Sequence, residues 1–251
     1  MRLFDSHCHL EDWMIDEILA SDTKRVVNIG CDEKSSVESV EWTEKYDFVY
    51  GTVGIHPEFA DTCSDDVLAR IAELSANEKI KAIGEIGLDY HWDDNPSKAV
   101  QRECFKKQIA LAIKLGLPIC IHSRDADRET IDILKESGAF SKIKVLMHCY
   151  SGSSELAKEY LALGAYISIA GPVTYKNNRK TALVAAMLPS DRFLIETDSP
   201  YLTPEPFRGK PNSPAKVLYT AQRIAEIRGT DPETIAEQSY KNACSFYGIK
   251  E

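Results

Sequence analysis

Eight short, almost wholly apolar runs alternate with longer amphipathic stretches, and no Gly/Ser/Pro-rich linker interrupts them. The runs cover 2–6, 25–30, 48–53, 81–86, 117–121, 143–147, 165–169 and 192–197. Helices are expected between them near 12–20, 35–46, 65–77, 97–115, 128–137, 154–162 and 178–187, with two more over 214–228 and 232–247. Runs that are apolar on both faces suit strands of a parallel sheet covered on both sides. Strict strand–helix alternation then gives an α/β protein, read here as a single (β/α)8 TIM barrel over residues 1–251. A doubly wound open sheet shows the same alternation but gathers its polar residues at one switch point. In this chain they stand at the ends of nearly every run.

Local signals support the helices. Phe105, Ile109, Ala112 and Ile113 fall on one stripe of the longest, which Gly116 and Pro118 end. Ser213-Pro214 and Asp231-Pro232 each offer a capping side chain followed by proline in the first turn.

With 251 residues and 43% hydrophobic content, the chain can bury a large core. No apolar run approaches the roughly 18–20 residues of a membrane span, and the N-terminus lacks a cationic segment followed by an apolar one. Seven cysteines without a CxxC pair argue against a disulfide framework and against a cysteine-zinc module. A cytoplasmic protein with no membrane association and no obligate protein partner is expected. The net charge of −9 disfavours broad electrostatic coating of nucleic acid.

The chemistry collects where strands end. His7 and His9 follow the first run, and side chains two apart on an extended segment point the same way, with Asp5 on their side. His56 in "GIHP" follows the third, His122 ends the fifth, His148 the sixth and Asp198 the eighth. Five of six histidines thus sit at the carboxyl ends of expected strands, the face on which barrel enzymes carry their sites. Each has a plainer alternative: His56 caps a turn before Pro57, His122 and His148 are core histidines, Asp198 caps the turn at Ser199-Pro200. Glu85 is harder to explain structurally, because it interrupts an apolar strand and a buried carboxylate needs a compensating cation.

Imidazoles and carboxylates without thiolates suit zinc, manganese or another first-row divalent ion. Four histidines and two carboxylates exceed the needs of one tetrahedral site, whereas two ions about 3.5–4 Å apart use them economically. Glu85 is placed as the bridge, and Asp198 as a ligand that also handles the proton of an attacking water. Arg208 and Lys210, around Gly209, lie where barrels of this kind bind phosphate, and Arg124 closely follows His122. Lys176, Arg179 and Lys180 read as ordinary surface charge. Tyr90, Trp92 and Tyr201 either stack on bases or pack a lid.

"FDSHCHL", "GIHP", "AIGEIGLDY", "LPICIHSRDA", "HCYSG" and "ETDSPYLTPEPFRGKPN" together resemble the TatD family of metal-dependent hydrolases, in the expected order from about residue 3 to 246. The resemblance implies a TIM barrel with a dinuclear site for Mg, Mn or Zn and DNase activity, often 3′→5′ exonucleolytic. It implies His7, His9, Glu85, His122, His148 and Asp198 as ligands, Glu85 binding both ions, with DNA ends or oligonucleotides as substrate. Asp198 and Glu85 are the expected catalytic residues, and Arg208, Lys210, His56, Arg124 and Tyr201 the substrate-binding ones. One departure is Ser213, where many relatives have glutamate; another is Tyr150, where phenylalanine is frequent. A hydrolase of small amides, esters or phosphate esters on the same barrel, and a metal-binding protein without turnover, are the rival expectations.

Overall fold

Strands β1 (Leu3–Cys8), β2 (Thr23–Asn28), β3 (Val49–Val53), β4 (Ile80–Asp89), β5 (Ile119–Arg124), β6 (Val145–Met147), β7 (Tyr166–Ile169) and β8 (Phe193–Ile195) follow one another through the sheet in chain order. Helices stand between them: α1 (Met14–Leu19), α2 (Glu33–Lys45), α3 (Asp65–Leu74), α4 (Lys98–Leu115), α5 (Asp127–Glu136), α6 (Ala139–Lys142), α7 (Ser154–Ala162) and α8 (Arg179–Met187). Helices α9 (Val217–Arg228) and α10 (Pro232–Tyr247) complete the chain. This is the (β/α)8 topology expected from the alternation of runs. No helix is long and apolar enough to cross a membrane.

The computed structural model describes residues 1–251 and divides them into two compact units. The first comprises Met1–Asn28, His148–Ala162 and Tyr166–Glu251. In it β1 pairs with β2 and β7 with β8, all parallel. A parallel bridge from Cys8 to Ser199 joins the chain after β8 to the end of β1. Its core is aromatic. Phe4 of β1 lies 5.7 Å from Tyr240 and 6.3 Å from Tyr247, ring centroid to centroid, and Phe246 lies 4.8 Å from Tyr247. Burying each such ring contributes on the order of 2–3 kcal/mol. Helix α10 can deliver them because Asp231 caps it, accepting from Thr234 N at 2.8 Å, and Gly248 closes it in the left-handed region. The Tyr247 hydroxyl then donates to Ser6 O at 2.8 Å, tying α10 to the strand that carries His7.

The second unit comprises Ile29–Met147 and Leu163–Ala165. Its strands β3, β4, β5 and β6 are parallel neighbours. Helix α4 is capped by Ser97, accepting from Val100 N at 3.4 Å, and ends at Gly116 with φ of 69°. It buries Gln101, Cys104, Phe105, Gln108, Ile109 and Ala112. The two glutamines hold backbone rather than each other. Gln108 exchanges two bonds of 2.8 Å with Ile55, fixing the segment that presents His56.

Several boundaries differ from the sequence expectation, and the differences matter for the site. Strands β1, β4 and β5 run on to residues 8, 89 and 124, past the ends expected at 6, 86 and 121. His7 and His122 therefore stand within strands. Short 3-10 turns over Pro57–Thr62 and Gly171–Thr174, and the four-residue α6, are too brief to carry a hydrophobic period. Ser213 does not cap the helix after it. Its hydroxyl donates instead to the Glu17 carboxylate, which Lys216 Nζ also reaches at 3.2 Å. A carboxylate from α1 thus reaches the Ser213 side chain.

Candidate metal centre

In the first unit, β1 supplies His7, the chain just after it His9, the chain after β6 His148, and the chain after β8 Glu196 and Asp198. His7 is fully buried, and its ring stacks on that of His148 with centroids 3.9 Å apart. One oxygen of Asp198, Oδ1, lies 3.6 Å from the Nε2 atoms of both His7 and His9. Asp198 has a positive φ of 55°, and its N–H donates to His7 O at 3.0 Å. Burial alone would raise its carboxyl, but the imidazoles of His9, His7 and His148 override this and hold it below the usual carboxylate range. His7, His148 and Glu196 offer donor atoms that all lie within 4.8 Å of one another.

Asp5, expected on the same side of the strand as His7 and His9, is engaged by backbone and hydroxyl donors. Asp5 is fully buried and accepts from Thr197 N at 2.8 Å, from the Thr197 hydroxyl and from His7 N at 3.3 Å. It fixes the chain after β8, so that Asp198 is held against β1. Burial pushes its carboxyl well above the ordinary value, against the pull of the Thr197 bonds.

In the second unit, Glu85 lies in the middle of β4 and is 4% exposed. Its Oε1 is 2.9 Å from His122 Nδ1 and 3.8 Å from His56 Nε2. Donor atoms of His56, Glu85 and His122 lie within 4.8 Å of one another. His56 takes the capping role that the sequence offered as its plainer alternative, and its ring also stands beside the candidate ligands. Its Nδ1 caps the following 3-10 turn, accepting from Glu58 N at 3.2 Å, while the ring packs 4.5 Å from that of His122. Because Nδ1 is an acceptor there, the neutral ring carries its proton on Nε2.

Glycine is needed where β4 meets β5. Gly87 is the register partner of His122 and has φ of 148°. A Cβ on it would lie 1.9 Å from His122 O. That close approach keeps the fifth strand, and the His122 ring, within reach of the β4 carboxylates.

Two buried carboxylates were missed in the sequence. Asp89, at the end of β4, places Oδ2 2.9 Å from His122 Nε2. Burial would raise its carboxyl, but His122 and the His91 N–H lower it overall. Glu196 places Oε1 3.4 Å from His148 Nδ1 and accepts from Cys149 N at 2.6 Å. Glu196 directly follows the apolar β8, and a buried carboxylate at a strand end is the same signal that marked Asp198.

The residues expected to bind substrate are distributed over both units. In the first, Arg208 is exposed, its guanidinium carbon 4.2 Å above the ring of Tyr175, whose hydroxyl donates to Thr203 O at 3.0 Å. Lys210 is exposed on the same loop, and its carbonyl accepts from Thr203 Oγ1 at 2.5 Å. Tyr201, 64% exposed, stands 6.2 Å from the His9 ring. In the second, Arg124 lies 5.2 Å over the exposed Trp92. Lys176, Arg179 and Lys180 are exposed, as ordinary surface charge would be.

The donor chemistry fits divalent ions. Each set combines imidazoles with a carboxylate, contains no thiolate, and buries a negative charge that a cation would compensate. Fold and site together define a class: metal-dependent hydrolases built on the (β/α)8 barrel. The model of the TatD related DNase family matches residues 4–248. YabD, an uncharacterized metal-dependent hydrolase of Bacillus subtilis, is 46% identical over 255 residues, spanning 98% of this chain and 99% of the relative. YcfH of Escherichia coli, likewise an uncharacterized metal-dependent hydrolase, is 34% identical over 260 residues, spanning 99% of this chain and 97% of the relative. The crystal structure of YjjV, a TatD homologue from Escherichia coli, aligns with a TM-score of 0.91 at 27% identity, covering 99% of each chain. The chain belongs to the TatD family.

Proposed function

We propose that this hydrolase is a deoxyribonuclease that trims single-stranded DNA ends 3′→5′ in the cytoplasm, supported by two divalent ions of Mg, Mn or Zn. The whole of 1–251 is taken as one hydrolase domain, since the family match runs through both units. The observation that carries the proposal is the clustering of imidazoles and carboxylates within or just after β1, β3, β4, β5, β6 and β8 in a chain of this family. His7, His9, His148 and Asp198 would hold one ion, and His122 the other. Glu85 would hold an ion as well, an assignment that follows the family resemblance.

When bound, such ions acidify water and neutralise charge on a phosphodiester. Asp198, kept ionised by its imidazole neighbours, accepts the proton of the attacking water. His56 directs an Nε2–H at a phosphate oxygen, its other nitrogen being engaged by Glu58 N. Arg208, already seated on Tyr175, meets the phosphate with its guanidinium, and Lys210 adds a point charge. Arg124 and Tyr201 supply further contacts at the rim. So few cations suit one or two phosphates at an end rather than a long duplex footprint.

The test is hydrolysis of 3′- and 5′-labelled single strands across a metal series, with and without chelator, and with Glu85→Ala and Asp198→Asn. Loss of activity in the chelated sample and in both variants is expected; full activity in them would end the proposal. The Arg208→Ala/Lys210→Ala double variant should lose DNA cleavage. If it retains cleavage while a small neutral ester or amide is turned over faster than DNA, the substrate is a small molecule.

A further inference from the structure

We propose that Asp89 is a positioning residue that decides which nitrogen of His122 faces the metal. The inference rests on the metal-centre reading of Glu85 and His122 and is independent of the substrate. Each ring nitrogen of His122 lies 2.9 Å from a carboxylate: Nδ1 from Glu85 Oε1, Nε2 from Asp89 Oδ2. A neutral imidazole has one proton, so it donates at one nitrogen and offers a lone pair at the other. A cation can take only the lone pair, and the proton must point at the opposite carboxylate.

The two carboxylates differ in their freedom to meet an ion. Asp89 is clamped. Its Oδ1 accepts from His91 N at 2.9 Å, its own N–H donates to Gln101 Oε1 at 2.9 Å, and its carbonyl accepts from Gln101 Nε2 at 2.9 Å. Gln101 is itself buried in the first turns of α4 and also donates to Pro96 O at 2.9 Å. Glu85, by contrast, faces imidazoles: His122 Nδ1 and, at 3.8 Å, His56 Nε2. Two donors each about 2.1 Å from one ion stand about 3–3.4 Å apart, close to the observed Nδ1···Oε1 separation. The Nε2 side is spaced identically, so it is the clamp on Asp89 and the second imidazole facing Glu85 that place the ion between Glu85 and Nδ1. Asp89 stays behind the ring, accepts the Nε2–H and makes Nδ1 a better donor, as carboxylates behind metal-bound histidines do.

Zinc is diamagnetic, so the tautomer can be read directly on the intact protein. Long-range 1H–15N spectra of 15N-histidine-labelled protein titrated with Zn²⁺, with His122 assigned by comparison with His122→Gln, should show Nδ1 metal-bound and Nε2 protonated. Calorimetric titration of Asp89→Asn and Asp89→Ala with Zn²⁺ and Mn²⁺ should show affinity for one ion reduced about 10–100-fold with unchanged limiting stoichiometry. Metal on Nε2, or affinity equal to wild type in both variants, overturns the proposal while leaving the metal centre standing. Loss of one whole equivalent would make Asp89 a ligand and likewise overturn it. If the wild type binds no zinc, the proposal falls together with the metal centre. The wild-type spectrum alone decides the tautomer should the variants fail to fold.

Discussion

Replacing Gly87 by alanine tests the contact on which His122's placement depends. The added Cβ would sit 1.9 Å from His122 O, where carbon and oxygen ordinarily come no closer than about 3.3 Å. Strand β5 must retreat by more than an ångström, or the β4 backbone must turn. Turning is obstructed because φ of 148° at this residue lies where L side chains are strained, at about 1–3 kcal/mol. Overpacking in a filled interior adds about 1–3 kcal/mol, so a loss near 3 kcal/mol or more is expected for Gly87→Ala. In a chain of this length 1 kcal/mol moves Tm by about 2–4 °C, and the variant should melt roughly 6–12 °C lower. The assay is paired: thermal unfolding of metal-free protein, and Zn²⁺ titration of the folded fraction at low temperature. Because the displaced atoms belong to His122 itself, affinity for one ion should fall together with stability. A variant within about 0.5 kcal/mol of wild type, the scatter of neutral surface changes, with unaltered zinc affinity, would refute the role given to this glycine.

Metal removal should lower stability: restoring Mn²⁺ at about a hundred times its dissociation constant should return about 2.7 kcal/mol per independent site, read as a rise in Tm that chelator reverses. Acid should destabilise the metal-free protein through Asp198 and Asp89, both held below the ordinary carboxylate range. Their contribution is present above the unfolded value near about 3.9 and lost as pH falls through it toward the lower folded values. The Asp89→Asn/Asp198→Asn double variant should therefore show a shallower acid limb in Tm against pH, and an unchanged limb would contradict those shifts. Asp5, raised by burial, acts with the opposite sign, so stability tied to its protonated form is lost as pH rises. Tyr175→Ala should raise KM for oligonucleotides about 2–5-fold through loss of the Arg208 stack, worth about 0.5–1 kcal/mol at an exposed site. The kcat should hold, and Tyr175→Phe, which keeps the ring but loses the hydroxyl bond to Thr203 O, should raise KM less than Tyr175→Ala does.

The fold was legible because its signal repeats: runs apolar on both faces, separated by capped amphipathic helices, leave few topologies open. Helix α10 matches its expected span because Asp231, Pro232 and Gly248 all act locally. The ligands were legible for a related reason, since polar residues where an apolar strand should continue announce a site. Local chemistry reached its limit at the strand ends. Strand β4 continues three residues past its expected end because its partner β5 also continues, Gly87 pairing with His122 and Asp89 with Arg124. Nothing within "GLDY" signals that pairing, so Asp89 read as loop. Ser213 shows the same limit in reverse: its hydroxyl has a capping position available, yet a carboxylate on α1, far away in sequence, takes it.

Asp89 and Glu196 also bear on how well the imidazoles they back would serve as metal ligands. An imidazole with free choice of tautomer spends part of its time presenting N–H to the cation. In the second unit that choice is removed by Asp89, clamped through Gln101. In the first, Glu196 stands 3.4 Å from His148 Nδ1, held by Cys149 N at 2.6 Å and by Ser6 Oγ at 3.4 Å. Each arrangement sets a buried carboxylate against an imidazole, and removing one partner of such a pair leaves the other buried without compensation. The same side chains that orient the histidines thus also help hold the metal-free fold together, which is why metal affinity and folding stability are expected to fall together when Asp89 or Glu196 is truncated to alanine.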